Sequence, residues 1–500
     1  MTAASLVLGG RSGSLLHERE QSGERSRWIF AATVLILGGC FLLTEHDRSV
    51  SKHNDFTLTA DDMQHQAGGG NAIRRVAFLT VAGWGLLAAA CAHGRSRMAI
   101  TPLLPAIVFV LGWCLLSLAW SHAPGFTMRR LLVLGCLATG ALGLARAVSG
   151  ADLCRLAIIV CGTSLVLGIA NEVVIGTFRP WSGGYRFSGT LHPNTQGLYL
   201  TTMCTAAYAL VRTRARRVRG SIGAVDQGGM ASGGFCSSAS LGVDGPHSGP
   251  YDRSRPQSAL ILWAVIVVGL VFLVLTKSRT STAGVILSLG TLALLRARVH
   301  PAALVGCFVG GWWLLGGALV CHLWQIDPLA ELKQLLLMGR SDQAESLTGR
   351  IPIWTELAPF IANRFWTGYG YDSFWTPDHI DHVSTRVEWG VREAHSAYIE
   401  TILSIGVIGL GLLLCVVGAG LVQAAWRFRR NAAPACGVAA GLLVYGLLNS
   451  FTESGMTMPL FPTFLLGAML WQVALDGGGG ESGSTSRASG AEFRDGFRGV

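Results

Sequence analysis

Long apolar stretches recur along this chain from Trp28 to Leu475, and they constrain its fold more than any other feature. Of the 500 residues, 50% are hydrophobic and only 14% are charged, whereas soluble domains carry roughly 25% charged residues. A single anchor does not explain this composition, because the apolar stretches are spread along the chain. The sequence therefore predicts an all-α polytopic membrane protein and excludes an ordinary soluble domain.

About twelve of these stretches predict transmembrane helices. The first follows Arg25 and Arg27, as a signal peptide would, but Leu43-Thr44-Glu45 offers no small-residue cleavage site, so an uncleaved anchor is predicted. The predicted helices occupy residues 28–44, 76–92, 102–120, 131–148, 153–176, 194–211, 258–275, 281–296, 302–324, 397–426, 434–450 and 459–475.

The basic residues behind the net charge of +10 lie in short clusters between apolar stretches and not along one soluble face. This pattern argues against nucleic-acid binding and indicates membrane orientation, because cytoplasmic loops are enriched in Lys and Arg. With a cytoplasmic N-terminus, the strongest clusters, at residues 212–219, 296–298 and 427–430, all face the cytoplasm. The C-terminus is then predicted to be cytoplasmic as well.

This topology leaves a large extracytoplasmic loop between helices 9 and 10. A structureless loop of that length is uncommon, and Ile351, Trp354, Leu357, Ile361 and Phe365 recur at helical spacing, which predicts an interfacial helix within it. The predicted segments are a cytoplasmic N-terminus (1–27), transmembrane helices 1–6 (28–211), a basic Gly/Ser-rich cytoplasmic linker (212–257), helices 7–9 (258–324), the large loop (325–396), helices 10–12 (397–475) and a disordered cytoplasmic tail (476–500).

Some arginines fall in short outside loops, where the charge rule disfavours them. Arg129 and Arg130 follow the third predicted helix, Arg186 follows the fifth and Arg279 follows the seventh. One reading is that such a side chain extends to a lipid phosphate. The other is an anion site shared by these loops, because a guanidinium donates two parallel hydrogen bonds to phosphate oxygens and keeps its charge.

The sharpest local pattern is His395-Ser396 followed, after nine intervening residues, by Gly406 and then Gly409. A rise of about 1.5 Å per residue puts Gly406 roughly 16 Å below His395, where a glycine permits close helix packing. An interfacial histidine is available for proton transfer near neutral pH. The alternative is a helix-start residue that packs against the loop.

Several motifs, taken in order, resemble those of the O-antigen ligase and polymerase superfamily, bacterial membrane enzymes that act on undecaprenyl-diphosphate-linked glycans. The resemblance covers most of the predicted helices from the third to the twelfth. Its motifs are Trp120-Ser121 to Pro124 before Arg129, Arg186-Phe187-Ser188-Gly189 with His192-Pro193-Asn194, Thr276-Lys277-Ser278-Arg279, Gly349-Arg350 to Trp354, Gly368-Tyr369-Gly370, and His395-Ser396 to Gly406 and Gly409.

The resemblance implies glycosyl transfer without a metal or other cofactor, at the periplasmic face of the bacterial inner membrane. Arg186 and Arg279 match the family's diphosphate-binding arginines, and His395 matches its loop histidine, with a role as the base that takes the acceptor proton. Arg350 is a further candidate for the anion site. The implied partners are an undecaprenyl-diphosphate-linked glycan, membrane lipids, and a flippase and chain-length regulator of the same pathway.

Two further sets of outside residues each have more than one possible role. Tyr369 and Trp375 can stack on sugar rings, although aromatic residues at a membrane boundary also form the interfacial belt. Glu453, between the last two predicted helices, can orient His395 or an arginine, or can be a solvated loop acid.

The motifs favour one branch of the superfamily without excluding the other. The stretches 349–354 and 368–375 look closer to exopolysaccharide polymerases than to ligases that transfer O-antigen to lipid A-core, whereas the histidine motif is common to both. A twelve-span transporter is the rival from another class, because the linker divides the helices six and six. Against it, the two halves show no internal repeat and the large loop breaks their symmetry. The sequence therefore predicts a polysaccharide polymerase.

Overall fold

The computed structural model describes residues 4–45, 72–91, 101–229, 256–297 and 350–475, and this part of the chain is helical without strands. Each predicted transmembrane range except the ninth coincides with a helix; the ninth, 302–324, lies outside the described residues. The helices are α1 (Ala4–Glu45), α2 (Ala72–Cys91), α3 (Leu103–Leu116), α4 (Pro124–Ala147), α5 (Gly150–Ile175), α6 (Pro193–Gly229), α7 (Pro256–Leu275), α8 (Arg279–Arg296), α9 (Arg350–Asn363), α10 (Pro377–Val387), α11 (Ala397–Asn431), α12 (Pro434–Asn449) and α13 (Phe461–Leu475).

Within the described ranges, six helices have the length and composition to cross a membrane, and three shorter helices are also apolar. Large apolar side chains on their outer faces are exposed, for example Leu35, Phe109 and Val166. Such a surface is stable in lipid and unfavourable in water. The protein is therefore an all-α multi-pass membrane protein, as the composition predicts.

Helices α2 and α4 pack closely through glycines. A Cβ atom on Gly85 would lie 2.6 Å from the Cα atom of Gly140, and Val81 also contacts Gly140, while Gly143 meets the backbone of Gly85. Contacts that advance in the same direction along both helices mean that α2 and α4 run parallel. Small residues at such a crossing let the two backbones approach, as in other membrane bundles.

Residues 350–405 form a helical cap at one end of the bundle. Its apolar core includes Ile353 and Leu357 of α9, Val383 of α10, and Phe374 and Leu403. The predicted helix over 351–365 is thus observed as α9, but its outermost members Ile351 and Phe365 are exposed. The buried face is instead centred on Ile353 and Leu357, because α9 packs against α10 and the start of α11.

Helix α11 is broken at Gly406, whose φ of +72° and ψ of 179° are not helical. The freed carbonyls of Leu403 and Ser404 accept hydrogen bonds from the backbone N–H groups of Tyr369 and Gly370, at 2.8 and 2.9 Å. A side chain at Gly406 would collide with the carbonyl oxygen of Trp366, at 2.1 Å from its Cβ position. The expectation of simple close packing between helices at Gly406 is therefore wrong: this glycine ends one helical segment and receives the cap loop.

Some helix ends differ from the predicted ones for identifiable reasons. Helix α4 begins at Pro124 and not at 131, because proline suits the first turn of a helix, where its missing N–H is not needed. Arg129 and Arg130 consequently lie on α4 and not in a loop. Helix α6 continues to Gly229, into the range predicted as linker; residues 230–255, 298–349 and 476–500 lie outside the described chain.

Candidate functional site

Arg186 lies in the loop between α5 and α6 and joins two other elements. Its Nε donates to the carbonyl oxygen of Thr276 at 2.8 Å, at the end of α7, and its Nη2 donates to Oδ1 of Asn194 at 2.5 Å, in the first turn of α6. Phe187, the next residue, is fully buried against Phe272 of α7. The guanidinium is therefore held by hydrogen bonds through both Nε and Nη2.

A buried glutamate that the sequence analysis did not single out supports the Arg186 loop. Glu172 of α5 is 1% exposed, and its carboxylate accepts hydrogen bonds from the hydroxyl of Tyr185 at 2.5 Å, the N–H of Ser188 at 3.0 Å and the N–H of Gly189 at 2.7 Å. These donors flank Arg186 on both sides. An acidic residue near the end of an otherwise apolar helix was the available signal, because an intramembrane acid is expensive unless it has partners.

Glu453 connects Arg186 to the cap. Its Oε1 accepts hydrogen bonds from Nδ2 of Asn194 at 2.6 Å and from Nη2 of Arg350 at 2.5 Å. The side chain of Glu453 is 13% exposed and that of Arg350 is 26% exposed. Arg186, Asn194, Arg350 and Glu453 will be called the Glu453 cluster. Burial raises the pKa of Glu453 to about 7, aided by Glu393 and opposed by Arg350 and Arg186.

His395 lies beside this cluster, at the entry to α11. Its backbone is left-handed, with φ of 51°, and the following residues are tied to the loop that carries Glu453, since Ser396 Oγ and the N–H of Ala397 both donate to the carbonyl oxygen of Ser450 at 3.0 Å. Its Nδ1 lies 3.4 Å from Oε1 of Glu393.

These contacts answer the question left open for Glu453. Its carboxylate accepts hydrogen bonds from an arginine and an asparagine, whereas the acid that faces the His395 ring is Glu393. The imidazole also stacks on Trp389, with ring centroids 6.1 Å apart. A carboxylate at Nδ1 favours the tautomer with its proton there, which leaves Nε2 as the basic nitrogen.

Arg279 is the first residue of α8, three positions after the Thr276 carbonyl that binds Arg186. Within the part of the chain that the structure describes, its half-exposed guanidinium makes no hydrogen bond or ion pair. Ser281 links α8 to α12 through the hydroxyl of Tyr445, at 3.3 Å. An unpaired arginine beside the Glu453 cluster is available for an external anion.

Comparison with known families explains this combination of residues. Residues 264–414 match the family model described as O-Antigen ligase. Over this range the chain is similar to that family, which supports its resemblance to the O-antigen ligase and polymerase superfamily. The matched range includes Arg279, Arg350, His395 and the Gly406 break, whereas Arg186 and Glu453 lie outside it. No curated protein matches this chain significantly.

Arg129 and Arg130, the two other arginines predicted for the anion site, make their contacts elsewhere. Arg129 is exposed, donates to its own helix at the Gly125 carbonyl (3.2 Å) and covers the ring of Phe126 at 4.5 Å. Arg130 pairs with Asp372 of the cap, its Nε 3.3 Å from Oδ2. The contacts of Arg186 and Arg350 therefore meet at Asn194 and Glu453, whereas those of Arg129 and Arg130 lie elsewhere.

The two candidate sugar-stacking residues differ in accessibility. Tyr369 is only 3% exposed and packs against Phe360, Phe374 and His379, so it offers no ring face to a sugar. Its prediction as a stacking residue is corrected on that ground: it belongs to the cap core. Trp375 is half-buried and donates through Nε1 to the carboxylate of Glu400, at 3.0 Å, which leaves it as the remaining candidate.

Proposed function

We propose that this protein polymerises undecaprenyl-diphosphate-linked oligosaccharide repeat units at the periplasmic face of the bacterial inner membrane. The observation that carries the proposal is the Glu453 cluster, in which Arg186 of the α5–α6 loop and Arg350 of α9 are joined through Asn194 and Glu453 beside His395. The superfamily consists of membrane glycosyltransferases that act on lipid-linked glycans, which supports the substrate class.

In this reaction the bond between sugar C1 and a phosphate oxygen of the donor breaks, and the oxygen of an acceptor hydroxyl bonds to C1. The lipid diphosphate leaves with the electron pair, so negative charge grows on it. Guanidiniums at Arg186, Arg279 and Arg350 stabilise that charge more in the transition state than in the ground state. The acceptor proton passes to Nε2 of His395, whose ring is oriented by Glu393.

Glu453 has a separate part in this scheme. Its carboxylate offsets the charge of Arg350 and positions Asn194, which in turn holds Arg186. Glu453 is the second candidate for the base, after His395, but its main proposed role is to position the arginines. Trp375 is proposed as the sugar-stacking residue.

Ligation of O-antigen to lipid A-core is the second candidate, favoured by the description of the matching family. The polymerase is preferred because the stretches 349–354 and 368–375 are closer to that branch. Both candidates place Asp372 outside and both termini in the cytoplasm, and both leave a flippase and a chain-length regulator as proposed partners.

The glycan phenotype of a deletion strain separates these functions. We expect the deletion strain to lose long polymer and to retain single repeat units on the carrier. The wild-type gene should restore the long polymer. Long polymer that accumulates on its lipid carrier would show a ligase. An unchanged glycan profile, with every step of export intact, would contradict both activities.

A further inference from the structure

Glu400, in the first turn of α11, joins two parts of the site through one carboxylate. It accepts a hydrogen bond from the N–H of Ala394, the residue before His395. Both of its oxygens also accept from Nε1 of Trp375, at 3.1 and 3.0 Å. The loop that carries the candidate base is therefore connected directly to the candidate sugar-stacking residue.

Ala394 is held from two directions. Its N–H is bound by Glu400, and its carbonyl oxygen accepts a hydrogen bond from Nε1 of Trp354 on α9, at 2.8 Å. Ala394 is also fully buried in the cap core. The peptide groups on both sides of Ala394 consequently have fixed orientations, and the second of them leads directly into His395.

The backbone of His395 depends on such support. Its φ of 51° lies in the left-handed region, which residues with a side chain adopt rarely and at a cost in energy. This conformation persists only when the surrounding structure fixes it. The loop that carries Glu453 holds the two residues after His395, and Glu400 holds the residue before it.

The same carboxylate restrains the indole of Trp375. Phe374, the preceding residue, is buried and packs edge-to-face on this ring, with centroids 5.1 Å apart. The hydrogen bond from Nε1 to Glu400 adds a directional restraint in the plane of the ring. Because Oε1 of Glu400 accepts from both Ala394 and Trp375, a shift of this carboxylate disturbs both partners.

We propose that Glu400 is a positioning residue that holds His395 and Trp375 at a fixed separation, a step that rests on the proposed function. A sugar stacked on Trp375 presents its hydroxyl to Nε2 of His395 at a distance set by the two rings. Proton transfer requires that distance to be about 2.6 to 3.2 Å. A small displacement of either ring therefore lowers the rate, although Glu400 itself does not touch the substrate.

Stabilisation of the helix start is the other role open to Glu400, because an acid in the first turn interacts favourably with the helix dipole. Both roles predict a less stable protein when the carboxylate is removed. They differ in how substitution of Glu400 combines with substitution of His395. A residue that acts through the base has no effect on the rate once the base is absent.

The test is single-turnover elongation of an undecaprenyl-diphosphate-linked repeat unit by purified full-length protein in lipid. Glu400→Ala should lower the rate about 10- to 100-fold, the usual cost of a small misplacement. In the His395→Gln background, Glu400→Ala should change the rate by less than about twofold. Glu356→Ala, at another half-buried carboxylate of the cap, is the matched control and should leave both rates unchanged. Effects of Glu400→Ala and His395→Gln that multiply would overturn the proposal.

The KM for the acceptor, at saturating donor, supplies the second measurement. Trp375→Phe keeps an aromatic face but lacks the N–H that binds Glu400, so this KM should rise about 2- to 10-fold, as expected for one lost hydrogen bond. Glu400→Gln should act alike, because its NH2 group cannot accept from Nε1. The two substitutions together should raise the KM no further than either alone. Independent effects on KM would contradict the connection to Trp375.

Trp354→Phe tests the hold on His395 from a different helix. It removes the hydrogen bond to the Ala394 carbonyl without changing α11. The rate should fall in the wild-type background, stay unchanged in the His395→Gln background, and leave the acceptor KM near its wild-type value. This variant decides the matter if Glu400→Ala fails to accumulate, since an unchanged rate would refute the hold. Wild-type protein that elongates nothing would instead contradict the proposed function.

Discussion

Two charged clusters sit at opposite ends of one short helical segment and are built differently: the Glu453 cluster, and the pair of Arg130 with Asp372, here called the Asp372 cluster. In the Glu453 cluster, arginines are half-buried and fixed by side-chain hydrogen bonds of 2.5 to 2.6 Å that link three elements. In the Asp372 cluster, the ion pair between Arg130 and Asp372 is 3.3 Å long and about half exposed. Fixed, desolvated guanidiniums suit a charge that develops during reaction, whereas exposed ones suit the capture of a charge that does not change.

The largest effect is expected at His395, which only the Glu453 cluster has beside it. His395→Gln keeps a hydrogen-bonding side chain but cannot take up a proton, so turnover should fall about 10²- to 10⁴-fold, the usual contribution of a general base. Donor binding should persist. Single-turnover assays with purified protein in lipid would measure both, and His382→Gln, at an exposed position of α10, is the matched control. Near-normal turnover of His395→Gln would refute proton abstraction.

The connection between the clusters is tested at Gly406. Gly406→Ala places a methyl group 2.1 Å from the Trp366 carbonyl at a φ of +72°, so the cap loop must shift. We expect a lower melting temperature and impaired function of the Glu453 cluster. Gly411→Ala, on the same helix with no neighbour within 4 Å, should have little effect. Equal stability of the two variants in a thermal-shift assay would show that the break is not needed.

Arg279→Lys keeps the positive charge and removes the planar fork. A charged hydrogen bond is worth about 1.5 to 3 kcal/mol, so kcat/KM should fall roughly 10- to 100-fold. Arg186→Lys should behave alike, and Arg386→Lys, at an exposed position of α10, should be neutral. Full activity of Arg279→Lys in normally accumulated protein would remove this residue from the donor site.

The sequence predicted the positions of the helices well, because a long apolar stretch is itself the signal of a helix in the membrane. It could not show that Arg186, Arg350 and Glu453 meet, since the Arg350–Glu453 contact spans 103 positions and the Asn194–Glu453 contact 259. Loops on the same side of a membrane share a surface but not necessarily a site. For this reason Arg130 was predicted to lie with Arg186, whereas it pairs with Asp372.

The break at Gly406 escaped prediction for a different reason. Ile405 and Val407 are both apolar, so the hydropathy of this stretch gives no sign of a break at the glycine between them. The Gly406 and Gly409 spacing was recognised, but its physical basis is the left-handed turn and the packing of Ile405 on Gly409. Glu172 was missed because an acid in an apolar helix signals that it needs partners but does not show that these are the N–H groups around Arg186.

The pH dependence of donor binding should distinguish the clusters further. Glu453, with its pKa raised to about 7 by burial, gains a proton as the pH falls from 8 to 6 and stops neutralising Arg350. Donor affinity should therefore rise by up to about tenfold over this range, with uptake of a proton on binding. Both phosphates of a glycan-linked lipid diphosphate are esterified and stay ionised.

The control for this effect removes the titrating group. Glu453→Gln should make donor affinity independent of pH between 6 and 8, whereas Glu356→Gln on α9 should retain the wild-type profile. Binding calorimetry in buffers of different ionisation enthalpy measures the proton directly. A Glu453→Gln profile that still follows the wild type would contradict the assignment of this titration to Glu453.

The smallest effect is expected at Arg129, next to Arg130 on α4 but outside both clusters. Its guanidinium contacts the Gly125 carbonyl and the Phe126 ring, both within its own helix, and is otherwise exposed. Surface substitutions of this kind change stability by about 0.5 kcal/mol or less. Arg129→Gln should therefore keep turnover within about twofold. A larger loss would mean that positive charge at this end of α4 matters in itself, because Arg129 lacks the carboxylate partner that Arg130 has in Asp372.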